Sequence, residues 1–294
     1  MKKALYSYIQ YVIIIFSLNC GMQINSIDSS ITNQVVDNES ELKILSWNIK
    51  MFPGPYGWFL NQSDRQENIN RILIESKPYD IIFFQEAFSD ESRKEIYSGL
   101  QNIYPYSIEP DDNASFYKLN SGLWVISRLP IILKEHISFT YRLSFDKLSS
   151  KGAKLFSVIK NKQEFYFIHT HMQSNNEKKY MDVREKQYIE IHKKLIIPYT
   201  KQGVPIILLG DLNISESNNL ESMLKKLELK NGPIRGVVQH SIIGTNKLVD
   251  YILVKSNDYI FNSIKRRIVD FSNKLNGKEY NLSDHYPIEG IFNW

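Results

Sequence analysis

Four apolar runs in this 294-residue chain each end on a side chain that an apolar interior does not accept alone. Leu42-Lys-Ile-Leu-Ser-Trp-Asn48 closes on an amide and Ile81-Ile-Phe-Phe-Gln-Glu86 on a carboxylate. Phe165 to His171 closes on an imidazole, and Pro205-Ile-Ile-Leu-Leu-Gly-Asp211 on a second carboxylate. Short runs of this β-branched and aromatic content read as buried strands. A carboxylate directly after Ile-Ile-Phe-Phe needs a partner, because burying an unpaired charge is prohibitively costly. Strand ends that converge on one rim meet this demand. There they offer oxygen ligands to a hard cation and an imidazole for acid/base work.

Further strands are expected at Leu123–Ser127, Ala153–Ile159, Leu248–Val254 and Ile288–Trp294. Ser63-Asp-Arg-Gln66 has the form of a capping box, with Ile69, Ile72 and Leu73 as the apolar stripe behind it and Pro78 ending the helix. Asp182 and Glu185 suggest a second capping box, opening a helix towards Ile197 with Ile189 and Lys193 on its two faces. A third helix is expected around Leu220–Leu229. A doubly wound parallel sheet wants a helix after almost every strand, and several strands here follow one another without one. The pattern therefore predicts an α/β four-layer sandwich, two packed and mostly antiparallel β-sheets flanked by helices. No repeat or Pro- or Ser-rich linker divides residues 42–294, so one domain is expected there.

Residues 1–20 stand apart. Lys2 and Lys3 precede Tyr11-Val-Ile-Ile-Ile-Phe-Ser-Leu18, an apolar run too short to span a bilayer as a helix and laid out like a secretory signal. Cys20, the sole cysteine, follows directly and resembles the lipid-modified cysteine of bacterial lipoproteins. An ordinary signal with an incidental Cys20 is the other reading. The chain is thus expected to be exported, either secreted or lipid-anchored to the bacterial cell envelope through Cys20. Residues 21–41, rich in Ser, Asn, Asp and Gln, read as a flexible tether. With one cysteine no internal disulfide forms, so the core must hold the domain. The 36 basic and 32 acidic residues give +4, and loss of Lys2 and Lys3 leaves 34 against 32, or +2. Such a field neither demands nor excludes nucleic acid. The clusters Lys265-Arg266-Arg267 and Lys178-Lys179 are expected to be solvated faces.

Singly, each polar motif has a bland reading. Gly210-Asp211-Leu212-Asn213 fits a plain strand-to-turn with Asn in a left-handed position, and Ser283-Asp284-His285 fits a capped turn. Together the ordered set Trp47-Asn48, Gln85-Glu86, Thr170-His171, Gly210-Asp211-Leu212-Asn213, Asp250-Tyr251 and Ser283-Asp284-His285 resembles the motifs of the endonuclease/exonuclease/phosphatase superfamily. Several segments look closer to secreted bacterial and neutral sphingomyelinases: Ser121–Ile131, Leu148-Ser-Ser-Lys-Gly152, Thr170-His-Met-Gln173 and Ser283–Glu289. The resemblance runs from about Leu42 to the C terminus. It implies a Mg2+-dependent phosphodiesterase that hydrolyses sphingomyelin to ceramide and phosphocholine by attack of water. Mn2+ and Co2+ are alternative ions, and one or two ions are possible. Glu86 is the implied main metal ligand, with Asn48 beside it and Asp284 on a second metal or in the hydrogen-bond network. His285 matches the family's general base and Asp250 its orienting carboxylate, while Asp211 and Asn213 orient the water and the phosphate.

His171 carries the substrate expectation. The family's nucleases often have tyrosine at this place, as the resemblance suggests, whereas sphingomyelinases have histidine in Thr-His-Leu-Gln. His171 would then stabilise the pentacoordinate phosphorus or protonate the leaving ceramide oxygen. The alternative is that His169 and His171 alternate across a strand, one facing in and one out, with no catalytic use. Lys151, before Gly152, is a candidate phosphate contact, or else a turn lysine in solvent. The partner expected is a phospholipid at a membrane surface, with no protein partner implied. The aromatic loop Met51–Leu60 either rests at that surface or folds back beside the active site. Secreted sphingomyelinases carry an exposed aromatic hairpin before Ser-Asp-His. Here Phe271–Tyr280 has a turn at Asn276-Gly277 but mostly polar arms. The rival readings are a metal-dependent nuclease on the same fold and a binding protein that has lost turnover.

Overall fold

The computed structural model describes residues 40–54, 57, 60–110, 118–271 and 281–294. The expected signal, Cys20, almost all of the expected tether and the Asn276-Gly277 turn lie outside the described residues. In chain order the strands are β1 (Glu41–Met51), β2 (Ile81–Ala87), β3 (Tyr106–Ile108), β4 (Trp124–Ser127), β5 (Ile131–Ser138) and β6 (Gly152–Lys160). They continue with β7 (Gln163–His171), β8 (Ile206–Asp211), β9 (Ile234–Arg235), β10 (Asp250–Lys255), β11 (Ser263–Ile268) and β12 (Ile288–Asn293). The helices are α1 (Gln62–Glu75), α2 (Asp90–Leu100), α3 (Lys178–Ile191) and α4 (Ser217–Leu227).

Among the described residues these strands form a seven-stranded sheet, ordered β3-β4-β2-β1-β12-β11-β9, and a five-stranded sheet, ordered β10-β8-β7-β6-β5. Most neighbours are antiparallel. The parallel pairs are β1 with β2, β7 with β8 and β9 with β11. The expected four-layer α/β sandwich is what the chain builds. Its layers follow from the two-residue period of the strands. Ile44 of β1, Phe83 of β2, Phe167 of β7 and Leu209 of β8 share the core between the sheets. Their neighbours Leu45 and Phe84 face outward, beneath Ile69 and Ile72 of α1 and Ile96 of α2. Ile168 and Leu208 face the other way, beneath Tyr188 and Ile191 of α3 and Met223 of α4.

Neither expected capping box forms. The residue preceding α1 is Asn61, left-handed at φ 49° and without a side-chain cap, while Glu177 precedes α3. Packing explains the shift. Tyr180, Val183, Arg184, Gln187, Tyr188 and Ile191 make one buried stripe at helical spacing, so α3 must already be wound at Tyr180. A cap contributes only about 1 kcal/mol and cannot outweigh that stripe. Helix α2 was not expected from the sequence, although Ser89 accepts a hydrogen bond from Ser92 N and caps it. The basic run 265–267 is no solvated face: it lies on β11 and alternates. Arg266 is buried and its Nε donates to Ile252 O at 2.6 Å, while Arg267 reaches out to Glu289 at 3.0 Å.

The inter-sheet layer carries the domain. Phe83 sits at its centre, with ring centroids of Phe167 at 5.3 Å and Phe156 at 6.3 Å. Phe83→Ala should lower the unfolding free energy by about 3–5 kcal/mol, read as a lower urea midpoint with an unchanged slope. A loss below about 1 kcal/mol would show that the layer collapses around the missing ring.

Candidate active site

Register brings the strand ends together. On the first sheet Asn48 lies opposite Gln85 across the parallel β1–β2 pair. On the second, Asp211 of β8 lies opposite both His171 of β7 and Asp250 of β10. Parity aims them inward: Asn48 continues the Ile44–Ser46 face, His171 the Phe167–His169 face and Asp211 the Leu209 face. Glu86 breaks the rule. It follows Gln85, which is on the inner face, and would point at the helices. A left-handed backbone, φ 52°, turns it back to the rim instead. Lys50, within an irregularity of the β1–β2 pairing, is also left-handed, at φ 49°. Such conformations in non-glycine residues cost on the order of 1–3 kcal/mol and gather at functional sites.

One amide bridges the two sheets. Asn48 Nδ2 donates to Glu86 Oε1 at 3.0 Å and to Asp211 Oδ2 at 3.1 Å. His171 Nε2 lies 3.5 Å from Asp211 Oδ2 and 3.9 Å from Glu86 Oε1. Lys151 is buried, not in solvent. Its Nζ is 2.9 Å from His171 Nε2, donates to Met172 O at 3.0 Å and pairs with Asp146 at 3.0 Å. On the other side of Asp211, His285 Nδ1 lies 2.8 Å from Asp250 Oδ2, leaving Nε2 3.9 Å from Asp211 Oδ2. Asn213 takes the left-handed conformation expected of a plain turn, φ 53°. Its backbone N donates to Asp211 Oδ1 at 2.9 Å and its Nδ2 to Met172 O at 3.2 Å. Asp284 is salt-bridged to Lys50 at 2.7 Å, and its charge also raises Glu86.

Charge is unevenly compensated. Burial, and then the Asp250 carboxylate, push Asp211 up to about 7. Burial raises Glu86 against the lowering by Lys151 and by the Asn48 hydrogen bond. Burial pulls His285 down, but Asp250, Asp211 and Asp284 outweigh it and push it up to about 10. Burial and the neighbouring Lys151 hold His171 well below the ordinary histidine value, so its ring is uncharged. Burial also raises Asp284, but Lys50 and His285 hold it below the usual carboxylate range. Ligand atoms of Glu86, His171 and Asp211 lie within 4.8 Å of one another, as do those of Asp211, Asp250 and His285. The first set suits a hard divalent cation: two carboxylates, both held up by burial, with no dedicated positive partner. The second set reads as an acid/base pair, because Asp250 already holds His285.

Several supporting residues were not singled out from the sequence. Asp146 fixes Lys151 and accepts from Ser174 N at 2.7 Å. Trp47 Nε1 donates to His285 O at 3.0 Å, and Ser283 Oγ to Asn48 O at 2.6 Å. Arg65 is buried and donates to Leu282 O at 2.7 Å and to the carbonyls of Ile49 and Lys50, so α1 clamps the segment before Ser283 onto β1. Its place on the buried stripe with Ile69 and Ile72 was the available signal. His169 and His171, two apart on β7, share the inner face rather than alternating across the strand. His169 is fully buried, its Nε2 2.8 Å from Gln85 Nε2 and its edge against Phe83. Phe52 folds back against Phe88, ring centroids 5.2 Å apart, beside the site.

The chain is similar to known proteins over most of its length. It is 25% identical to Sphingomyelinase C 2 of Leptospira interrogans over 90% of this chain and 48% of that protein. It spans about half the length of the curated Leptospira relatives it matches. Its fold is similar to a beta toxin structure from Staphylococcus aureus, with a TM-score of 0.72 and 23% identity over 85% of this chain and 99% of that one. It is also similar to a variant of that toxin with bound magnesium ions, with a TM-score of 0.70 and 22% identity over 86% of this chain and all of that one. The profile of the Endonuclease/Exonuclease/phosphatase family matches residues 45–285, and the chain belongs to that family.

Proposed function

We propose that this protein is a divalent-metal-dependent phosphodiesterase that hydrolyses sphingomyelin to ceramide and phosphocholine. The observation that carries the reading is the Asp250–His285 pair, 2.8 Å apart, on one rim with the Glu86–Asp211 carboxylates and the buried cation Lys151. The name of the Leptospira relative and the Thr170-His171-Met172-Gln173 segment support the lipid substrate.

In this mechanism His285 takes the proton of the attacking water at Nε2, because Asp250 holds Nδ1 and thereby fixes the tautomer. Asp211, with Asn213 on its backbone side, orients that water. His171, uncharged, faces the phosphoryl group, and Lys151 beside it supplies the positive charge and the proton for the leaving ceramide oxygen. The P–O bond to ceramide breaks as the water oxygen bonds to phosphorus. Glu86 and Asp211, with Asn48 between them, would hold the ion. Mg2+ is the favoured choice and Mn2+ or Co2+ the alternatives. Bound there, it would polarise a phosphoryl oxygen and lower His285 towards the range of a useful base. Asp284 keeps Lys50 at the edge of the site, from which a second ion remains an alternative role.

Phosphocholine release from sphingomyelin and phosphatidylcholine, with Mg2+ and with chelator and with plasmid DNA in parallel, tests the reading. Release from sphingomyelin that needs Mg2+ is expected. Cleavage of DNA with both lipids untouched would move the function to a nuclease. Glu86→Gln should weaken the Mg2+ dependence and the rate, and His285→Ala should cost about a hundredfold or more in turnover. A near-normal rate for His285→Ala would mean that another group is the base.

The metal-free protein offers a second test by NMR titration of the His285 ring. Its pKa should lie near 10 in the native chain and fall towards the ordinary histidine range in Asp250→Asn. Because the folded value lies above the unfolded one, the pair's stabilisation is complete below about 6.5 and is lost as pH rises through about 10. An unchanged pKa in Asp250→Asn would show that Asp250 does not hold the ring.

A further inference from the structure

An apolar cavity of about 610 Å³ leads from the phosphate-handling residues to the surface. Its inner end is Lys151, His171 and Glu86, and its walls are Phe52, Phe88 and Leu119. Its mouth is formed by a short 3-10 turn, Ser144–Leu148, which presents two large apolar side chains to solvent. Phe145 is 82% exposed and Leu148 51% exposed. With three residues per turn, positions 145 and 148 stand one above the other on the same side. Asp146, between them in sequence, points the other way and is buried against Lys151. Tyr141, 46% exposed, precedes the turn and is capped by the Lys186 ammonium, 4.6 Å from its ring centroid. Lys147 is exposed between Phe145 and Leu148.

This turn is not a loose loop that happens to expose a ring. Asp146 accepts from Ser174 N at 2.7 Å, Leu143 N donates to Gln173 Oε1 at 2.7 Å, and Leu119 N donates to Leu148 O at 2.7 Å. The turn is thus pinned on both sides of Phe145, to the segment that follows β7 and to the segment that precedes β4. An aromatic ring and a leucine held rigidly in water, with a lysine between them, suit a lipid interface. The apolar groups enter the acyl region while the lysine reaches back to phosphates.

We propose that the Ser144–Leu148 turn is the surface by which this protein seats itself in a lipid layer. Phe145 and Leu148 enter the acyl region, and the apolar part of one lipid runs along the Phe88–Leu119 wall with its phosphodiester at Lys151 and His171. The proposal deepens the lipid-substrate reading above and rests on it. It assigns docking to the turn before β6, so it requires no aromatic side chains on the polar segment that precedes Ser283.

The test places an environment-sensitive fluorophore at Phe145→Cys in the full chain carrying Cys20→Ser. Ile260→Cys serves as the control. Ile260 is 81% exposed and lies in the loop before β11, at the pole where Asn262 and Ser263 meet Asn293 of β12 and hence the start of β1, away from the site. Equimolar sphingomyelin/phosphatidylcholine vesicles should shift the label at 145 to the blue, and lipid-borne quenchers should reach it. Neither should happen at 260. The readout is local to each residue, so membrane attachment by any other segment does not imitate it. Phe145→Asp should lower phosphocholine release from the same vesicles about tenfold. Its thermal midpoint should be unchanged, because the ring is not part of the core. A label at 145 that stays in water while the protein co-sediments with vesicles overturns the proposal. So does a label buried by self-association without lipid. Phosphocholine release without insertion at 145 would sink the docking surface and keep the substrate. Insertion without release would keep the docking surface and sink the substrate.

Discussion

The hydrogen bonds from the Asn48 amide to Glu86 and Asp211 join side chains of the two sheets at their common rim. They form only if β1 and β8 arrive at the same height and separation. The separation is set by the apolar layer of Ile44, Phe83, Phe167 and Leu209, since facing sheets pack about 10 Å apart. The height is set by the β1–β2 and β7–β8–β10 registers. The return of the chain at Ser283-Asp284-His285 is then tied to β1 three times, by Arg65, Trp47 and Ser283. His285 therefore reaches Asp250 from the first sheet's side, although Asp250 belongs to the second.

The acidic residues divide into two roles, which the distances separate. Asp146 and Asp250 each hold one cationic or basic group, Lys151 and His285, at 3.0 and 2.8 Å. They consume their charge in orienting it. Glu86 and Asp211 share the Asn48 amide donor and have no ion-pair partner as close as these, and burial raises both. A divalent ion at that pair would complete the electrostatics without displacing Asp146 or Asp250 from their partners. Burial first, and then the Lys151 ammonium 2.9 Å away, disfavour a positive charge on the His171 ring.

The sandwich and the convergence of Asn48, Glu86, His171 and Asp211 were legible in the sequence, because short apolar runs ending in polar groups admit few other arrangements. Asp250 and His285 were legible only through motif order, since nothing in Asp250-Tyr251 announces that β10 pairs antiparallel with β8 and starts opposite Asp211. Helix starts were misread, because caps are weak and the buried stripes of α1 and α3 begin earlier. Arg266 departs from the solvated face expected of the run 265–267, because a strand sends alternate residues inward. The left-handed turn at Glu86 had no sequence signal at all. It is a local conformation imposed by the need to bring a side chain of the wrong parity to the rim.

Within the sandwich the inner face changes character along each strand. β1 runs Ile44, Ser46, Asn48, and β7 runs Phe167, His169, His171 on the shared face. β2 passes from Phe83 to Gln85, and β8 from Leu209 to Asp211. Behind the rim therefore lies a buried polar layer, where Gln85 Nε2 donates to Ser46 Oγ at 3.1 Å and meets His169 Nε2 at 2.8 Å. Burial and the nearby Lys154 keep His169 neutral, so this ring adds polarity without adding charge beneath the carboxylates. The gradient depends on strict parity. A one-residue slip in β7 would send His169 and His171 to the helix side and bring Ile168 and Thr170 to the rim, because every side chain of a slipped strand changes face. The apolar packing of Phe165 and Phe167 against the first sheet opposes that slip. The residues that hold the core together are thus the ones that hold the chemistry in register.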